Sequence, residues 1–513
     1  MASVAIPSRQ PFSGVNALCI GLAGCALSAL SVWVGLGLCL AAALAVCAFL
    51  YARRCSPREQ AVFLMFALQL NIFSLEFGDR LNDPGHFYSL RPALPVAIML
   101  LSLLFWRVAA GQEHIGKLPL LRPLIALDAV YWIVTFIHPS SPYFFRGLIS
   151  CTLLGVNVGI FLLFLRPLLA EPGLLDRVCR LLIMFYTVYA LAGILMLAIN
   201  LAGLDPHDYL VQVDTLGAWT MEQAGADTPT PHPWSFEPNT GSQMAAVCLL
   251  ALTKAFQPDE RHRYLLFFSA ASILAGLMLT FARGPWVGFA AGIVASVFIL
   301  RMASRRHEKR ARPHMSRNIA IVSSVSVITY LVTVNLFPYL KGVLLGRLLT
   351  LSPEDWQSGT MFDRLVHWIE FIQAGLASPI LGHGADNYKV LLPPPRVSEN
   401  FIIESFHVAG IWGPLLIGGV QIVLFRWGWQ ALRRGYQLQE PWLAPALCAY
   451  SGFIVAAQMN PSMWGGFYWM LLAIVTCILH QSRSRGGQSA ATAPIHGMPQ
   501  FSGLGFGHSG GTL

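Results

Sequence analysis

The chain has 513 residues, of which 55% are hydrophobic and only 12% charged, and its formal net charge is +9. Soluble globular domains carry about 25% charged residues, so this composition excludes a soluble enzyme and indicates a membrane protein. The positive excess is read as orientation and not as affinity for nucleic acid, because it sits in short connections on alternate sides of the apolar runs.

The first apolar region, Gly14 to Leu50, follows Arg9, runs uncharged and lacks a clear small-residue cleavage site. It is read as two retained membrane helices joined by a tight turn, not as a signal peptide. A helix needs about 20 apolar residues, with about 17 as the lower limit, to cross a hydrocarbon core about 30 Å thick. On that ruler the sequence predicts about fourteen spans. They centre on 15–32, 34–51, 60–77, 91–107, 122–138, 147–165, 181–203, 240–256, 264–281, 285–301, 319–337, 406–425, 442–459 and 464–480.

The basic connections include Arg53, Arg54 and Arg58; Arg166, Arg177 and Arg180; RMASRRHEKRARPHMSR at 301–317; and Arg426, Arg433 and Arg434. The positive-inside rule makes them cytoplasmic, and both termini with them. Their charge also suits anionic lipid headgroups, so membrane lipids are partners and nucleic acid is not. The segment 204–236 has Asp205, Asp208, Asp214, Glu222 and Asp227 without a Lys or Arg, and is exported. The 10 cysteines lie in spans or in cytoplasmic connections (Cys55, Cys179), so no disulfide framework is expected.

The fold class predicted is therefore an all-α polytopic membrane protein with a large external loop containing an amphipathic helix. Its parts are N-terminal transmembrane helices in 1–203, an acidic external loop at 204–239 and central helices in 240–337. A second external loop at 338–405, C-terminal helices in 406–482 and a disordered cytoplasmic tail at 483–513 complete it. In the second loop, TMFDRLVHWIEFIQAGL sets Phe362, Leu365, Val366, Ile369, Ile372 and Leu376 on one helical face and Asp363, Arg364, His367, Glu370 and Gln373 opposite. Thr360 and Asp363 resemble a capping box. This helix is expected to lie on the membrane surface or to cap the bundle.

No Walker lysine loop, nucleotide fingerprint, paired-cysteine spacing or HExxH occurs. No metal site or cofactor is assigned. Three arginines fall on or near the outer side: Arg283 in LTFARGPW, Arg364 in the amphipathic helix, and Arg146 in YFFRGL. An arginine at a helix end is either a snorkelling anchor or a functional cation. Arg283 interrupts a long apolar stretch on the side that positive charge avoids, where an ionisable group suggests function and a guanidinium suits phosphate oxygens.

The run SENFIIESFHVAGIWG at 398–413 brings Glu399, Asn400, Glu404 and His407 to the mouth of a membrane helix. If a helix begins near Glu399, Asn400 and Glu404 are i and i+4, and Glu404 and His407 are i and i+3. Glu404 and His407 either continue a functional polar edge inward or pair to neutralise each other.

LTFARGPWVGF resembles the helix start of the O-antigen ligase and Wzy-type polymerase superfamily, and DRLVHWIEFIQAGLASPILGHGADNY resembles that family's external loop. The family's ligases close this loop with His-Asn, nine residues, then Gly-x-x-Gly; here Asn400 is followed by nine residues, Gly410 and Gly413. SFEPNTGSQMAA at 235–246 resembles the Pro-Asn segment that opens the preceding helix, which makes Asn239 a substrate-binding candidate. The departure is Glu399, which stands where the ligases have histidine.

The resemblance implies a metal-independent glycosyltransferase of the bacterial inner membrane with its site facing the periplasm. Its donor would be an undecaprenyl-diphosphate-linked glycan and its acceptor a lipid-linked repeat unit or lipid A-core. A chain-length regulator and a flippase of the same pathway are the protein partners implied. Arg283 and Arg364 are the catalytic candidates for holding diphosphate charge, and Glu399 for the general base if burial raises its pKa. Glu399 is alternatively a solvated loop acid. Asn400, Glu404, His407, Arg146, His383 and Asn239 are the substrate-binding candidates. His383 either positions a saccharide hydroxyl or is an exposed turn residue. Trp219, Trp234 and Trp356 stack on sugars or anchor at the interface.

The first reading is polymerisation of lipid-linked repeats for exopolysaccharide or O-antigen, with ligation to lipid A-core as the alternative. From another class, the number of spans also fits a precursor transporter or flippase, although the spans give no sign of two related halves. A scaffold role predicts that removing the charge of Arg283 is silent.

Overall fold

The computed structural model describes residues 54–69, 75–77, 88–90, 93–171, 173–201, 238–257, 260–279, 283–304, 360–387, 400–434, 440–458 and 465–491. Among these residues the architecture is helical except for one pair of three-residue strands. The helices are α1 (Pro57–Gln69), α2 (Ala93–Ala109), α3 (Leu121–Ile137), α4 (Phe144–Ala170), α5 (Leu174–Leu201), α6 (Pro238–Ala255) and α7 (Arg263–Leu279). They continue as α8 (Arg283–Ser304), α9 (Thr360–Leu376), α10 (Phe401–Ala409), α11 (Trp412–Arg434), α12 (Leu443–Ala457) and α13 (Gly466–Ala491).

Among the described residues, four stretches are long and apolar enough to cross a membrane: Phe144–Ala170, Leu174–Leu195, Gly284–Met302 and Trp412–Arg434. Ala93–Ala109, Arg263–Met278 and Leu443–Ala457 are shorter apolar helices. The chain is thus a helical membrane protein. The predicted spans at 15–32, 34–51 and 319–337 lie outside the described residues, as do most of the acidic loop and Trp219, Trp234 and Trp356.

Several boundaries differ from those read in the sequence. The span expected at 60–77 is replaced by α1, which stops at Gln69, and by strand β1 (Leu75–Phe77) paired antiparallel with β2 (Tyr88–Leu90). A helix of 13 residues is too short to span. Asn82, Asp83, Pro84 and Gly85 lie between the two strands in sequence, and such residue types favour a turn over a continuing helix. The span expected at 406–425 is broken at Gly410 into α10 and α11, because Gly410 takes a left-handed φ of 58°. Cys179, expected in a connection, is buried inside α5, and α13 extends to Ala491, into the segment expected to be a disordered tail.

α4 runs through the interior, with residues from Val156 to Leu165 buried consecutively. Such a helix, apolar all round, is buried on every side by its neighbours. Elsewhere small residues permit close approach. A Cβ built on Gly288 of α8 would lie 2.7 Å from the Gly452 carbonyl of α12, and one on Gly292 would lie 3.2 Å from the Gly452 Cα. Gly288 and Gly292 form a GxxxG pair, whose missing side chains allow helix backbones to pack in contact within a membrane.

The end of the bundle where α4 closes and α5 starts carries a charged lock. Arg180 donates to Asp176 at 3.0 Å and to Glu260 at 3.2 Å, and Lys254 lies 3.1 Å from Glu260. Trp442 sits beside both cations and donates to Asp176 at 2.9 Å. Burial opposes ionisation of Glu260, but hydrogen bonds from Arg180, the His262 amide and Lys254 outweigh it and hold the carboxyl down to about 2.

Candidate functional site

The opposite end of α4 carries several of the residues singled out by the sequence. α9 has the bounds of the predicted amphipathic helix, Thr360–Leu376. Its burial, however, is not that of the predicted apolar face. Ile369, Ile372 and Leu376 are exposed, whereas Phe371, from between the two predicted faces, is fully buried. Gly375 packs on Phe406, so the helix docks through Phe371 and Gly375 and leaves an apolar edge outward.

Beyond α9 the stretch PILGHGADN is threaded between two walls. On one side the His383 amide donates to the His407 carbonyl at 3.0 Å, the Gly384 amide to the Val408 carbonyl at 3.0 Å, and the Ile411 amide to the Pro379 carbonyl at 2.8 Å. On the other, the Ala385 amide donates to Thr135 Oγ1 of α3 at 3.1 Å, and Ser141 donates to Asn387 at 2.6 Å. Asn387 in turn donates to the His383 carbonyl at 2.8 Å.

These ties explain the glycine spacing. A Cβ on Gly382 would stand 2.3 Å from the Val408 carbonyl oxygen, one on Gly410 2.5 Å from that of Ile380, and one on Gly413 2.3 Å from that of Ser405. Gly382, Gly384 and Gly410 also have φ of 72°, 84° and 58°, which side-chain-bearing residues rarely adopt. The glycines are there because backbone meets backbone.

α10 begins as the sequence suggests, but with a definite role for Asn400. Its side-chain oxygen accepts from the Ile402 and Ile403 amides, both at 3.1 Å, an N-cap worth about 1 kcal/mol. Glu404 follows one turn later, buried, with its amide bonded to the Asn400 carbonyl at 2.9 Å. It lies near the buried Tyr131 hydroxyl of α3. The His407 ring is fully buried, stacked on His383 at 4.9 Å and edge-on to Phe371 at 5.5 Å. Burial, and secondarily the neighbouring His383, lower its pKa to about 3 and keep it neutral. His383 is half-buried rather than an exposed turn residue, with Nε2 2.8 Å from the Ala374 carbonyl.

Arg146, in the first turn of α4, lies 3.6 Å from Asp386, which also accepts from the Ser150 hydroxyl. Asp386 has φ of 59°, a left-handed conformation uncommon outside glycine; such local strain occurs often at functional sites. Sequence reasoning did not select Asp386, Ser150 or Thr135. The signal that could have found Asp386 is its place just after the two glycines of GHGAD, in a loop already singled out.

Thus Arg146, His383, Asn400, Glu404 and His407 are brought into one assembly by α3, α4, α9 and α10. Arg364 is half-buried near the start of α9. Arg283 is the first residue of α8, whose position is set by Trp286 donating to the Leu277 carbonyl of α7 at 3.0 Å. The Arg283 side chain and Glu399 lie outside the described residues. Asn239 is the second residue of α6, which starts at Pro238 as the Pro-Asn segment suggests; its side chain also lies outside them. The chemical resources of the described part are two carboxylates, Asp386 and Glu404, a partly exposed guanidinium and neighbouring hydroxyls.

No curated protein matches the chain. Residues 268–417, from within α7 to the first turns of α11, match the model of the O-antigen ligase family. They include Arg283, α9, the threaded glycine loop and α10, so the sequence resemblance and the family match fall on the same segment, and both support the superfamily of O-antigen ligases and Wzy-type polymerases.

Proposed function

We propose that the protein is a glycosyltransferase that polymerises polyprenyl-diphosphate-linked oligosaccharide repeats on the periplasmic face of the inner membrane, for exopolysaccharide or O-antigen. The observation that carries the choice of polymerase over ligase is Glu399, which precedes the capping residue Asn400 where the ligases have histidine. Ligation to lipid A-core is the second reading, favoured by the description of the matching family.

In the proposed reaction an acceptor hydroxyl oxygen attacks the anomeric carbon of the donor glycan. The bond from that carbon to the diphosphate oxygen breaks, and the diphosphate leaves with the electron pair. Arg283 and Arg364 are assigned to the growing phosphate charge, where preorganised cations need not wait for solvent to rearrange. Glu399 is assigned to take the hydroxyl proton, help typically worth about 10²–10⁴-fold in rate. Arg146, His383, Asn400, Glu404, His407 and Asn239 are assigned to shaping or lining the acceptor side. A chain-length regulator and a flippase of the same pathway complete the proposed setting, with both termini in the cytoplasm.

Gel analysis of glycans in a deletion strain tests the reading. Loss of a polymerase leaves single repeats, whereas loss of a ligase leaves long chains on the lipid carrier. Purified protein that moves lipid-linked glycan across liposomes without elongating it would establish transport in place of transfer.

A further inference from the structure

Away from the segment matched to the O-antigen ligase family, the connection between α2 and α3 forms one wall of a cavity of about 570 Å³. Lys117, Arg122 and His480 line it together with Ile115, Leu118 and Ile125, and among the described residues no carboxylate lines it. Glu113, the acid nearest in sequence, is engaged elsewhere, 2.6 Å from Arg166 and 3.5 Å from Arg107. The size falls within the roughly 300–1,000 Å³ of small-molecule sites.

Two further observations give the cavity a sign and a direction. The first turn of α3 opens beside it, and its N-cap, Leu120, has no side-chain acceptor for the free amides. Leu120 is also held at φ 62°, which strains a γ-branched residue. Amides at an uncapped helix start carry partial positive charge and attract anions. The direction comes from α3 itself: Arg122, Ile125, Ala129, Ile133 and Phe136 recur at helical spacing and are all exposed. On an apolar helix such a face meets lipid tails.

We infer that this cavity binds the headgroup of an anionic phospholipid, with Lys117, Arg122, His480 and the α3 amides on its phosphate and an acyl chain along the Ile125–Ile133–Phe136 face. A basic pocket at a helix end recognises lipid phosphate by charge, and an adjoining apolar stripe distinguishes a lipid from a free anion. The positive-inside pattern puts this end of α3, and so the lipid, in the cytoplasmic leaflet.

Native mass spectrometry of the full-length protein in neutral detergent tests the site, with phosphatidylglycerol, phosphatidylcholine and inorganic phosphate as probes. Phosphatidylglycerol is retained in preference to phosphatidylcholine, and inorganic phosphate does not displace it. Lys117→Gln and Arg122→Gln each weaken retention about fivefold, the factor equivalent to about 1 kcal/mol per basic side chain near an anionic surface. Arg426→Gln, a basic residue elsewhere, leaves it unchanged. Equal retention of the two lipids, retention indifferent to Lys117→Gln, equal loss with Arg426→Gln, or displacement by phosphate overturns the proposal. Should Arg122→Gln not fold, Lys117→Gln, in an exposed connection, carries the test alone.

Discussion

The imidazoles of His383 and His407 stack with centroids 4.9 Å apart and planes inclined by 29°, joining the glycine loop after α9 to the buried face of α10. The same two residues are linked through the backbone, His383 amide to His407 carbonyl at 3.0 Å. A charge on His407 would be buried beside a second imidazole. Its pKa is lowered to about 3 for that reason, chiefly by burial.

Stability should therefore depend on pH through His407. The unfolded chain binds this proton near the ordinary value of about 6.5 and the folded chain only near 3, so folding is opposed progressively as pH falls between them. Thermal unfolding in detergent should show a lower Tm at pH 4.5 than at pH 7. His407→Phe, which keeps an aromatic ring but cannot titrate, should flatten that dependence; an unchanged slope would remove His407 as its source.

Glycine replacement should discriminate sharply by position. Gly410→Ala forces a Cβ to within 2.5 Å of the Ile380 carbonyl oxygen at a left-handed φ, and should cost about 1–3 kcal/mol and most glycan transfer. Gly418→Ala, with nothing within 4 Å, should be neutral or slightly stabilising. Paired melting curves and glycan gels of the two variants measure this contrast.

The Arg146–Asp386 pair separates shape from charge. Asp386→Asn retains hydrogen-bonding capacity toward Ser150 but removes the charge facing Arg146. If that charge positions Arg146 for substrate, elongation should fall about tenfold at constant protein level, an effect of about 1.4 kcal/mol on the barrier. Normal elongation by Asp386→Asn would leave the pair a structural role only.

The catalytic assignments predict two different kinetic defects. Glu399→Gln removes a proton acceptor at nearly constant shape and should lower turnover about 10²-fold or more while donor binding persists. Arg283→Ala should weaken donor binding as well as rate, because the diphosphate is charged before and during transfer. An assay with lipid-linked repeats in which Glu399→Gln elongates at the parental rate would move the base to another group.

Much of this organisation was legible in the sequence because it rests on local physics. Long uncharged runs can shield their backbone in lipid only as helices, which made the membrane class readable from composition. The 3.6-residue period delimited α9, the Pro-Asn segment pointed to the start of α6, and the polar run at Glu399 and Asn400 pointed to the start of α10. The spacing of Asn400, Gly410 and Gly413 pointed to the family later matched over residues 268–417. What the sequence could not decide depends on residues far apart in the chain. Phe371 rather than Ile369 became the buried anchor of α9 because the partner surface is α10, and helical periodicity does not state which neighbour a face will meet. Gly410 broke a hydrophobic run that reads as continuous because its backbone must clear the Ile380 carbonyl, and Asp386 gained its significance only when folding brought it to Arg146 and Ser150. Steric fit and electrostatic pairing act through space, so only the tertiary structure could assign those partners.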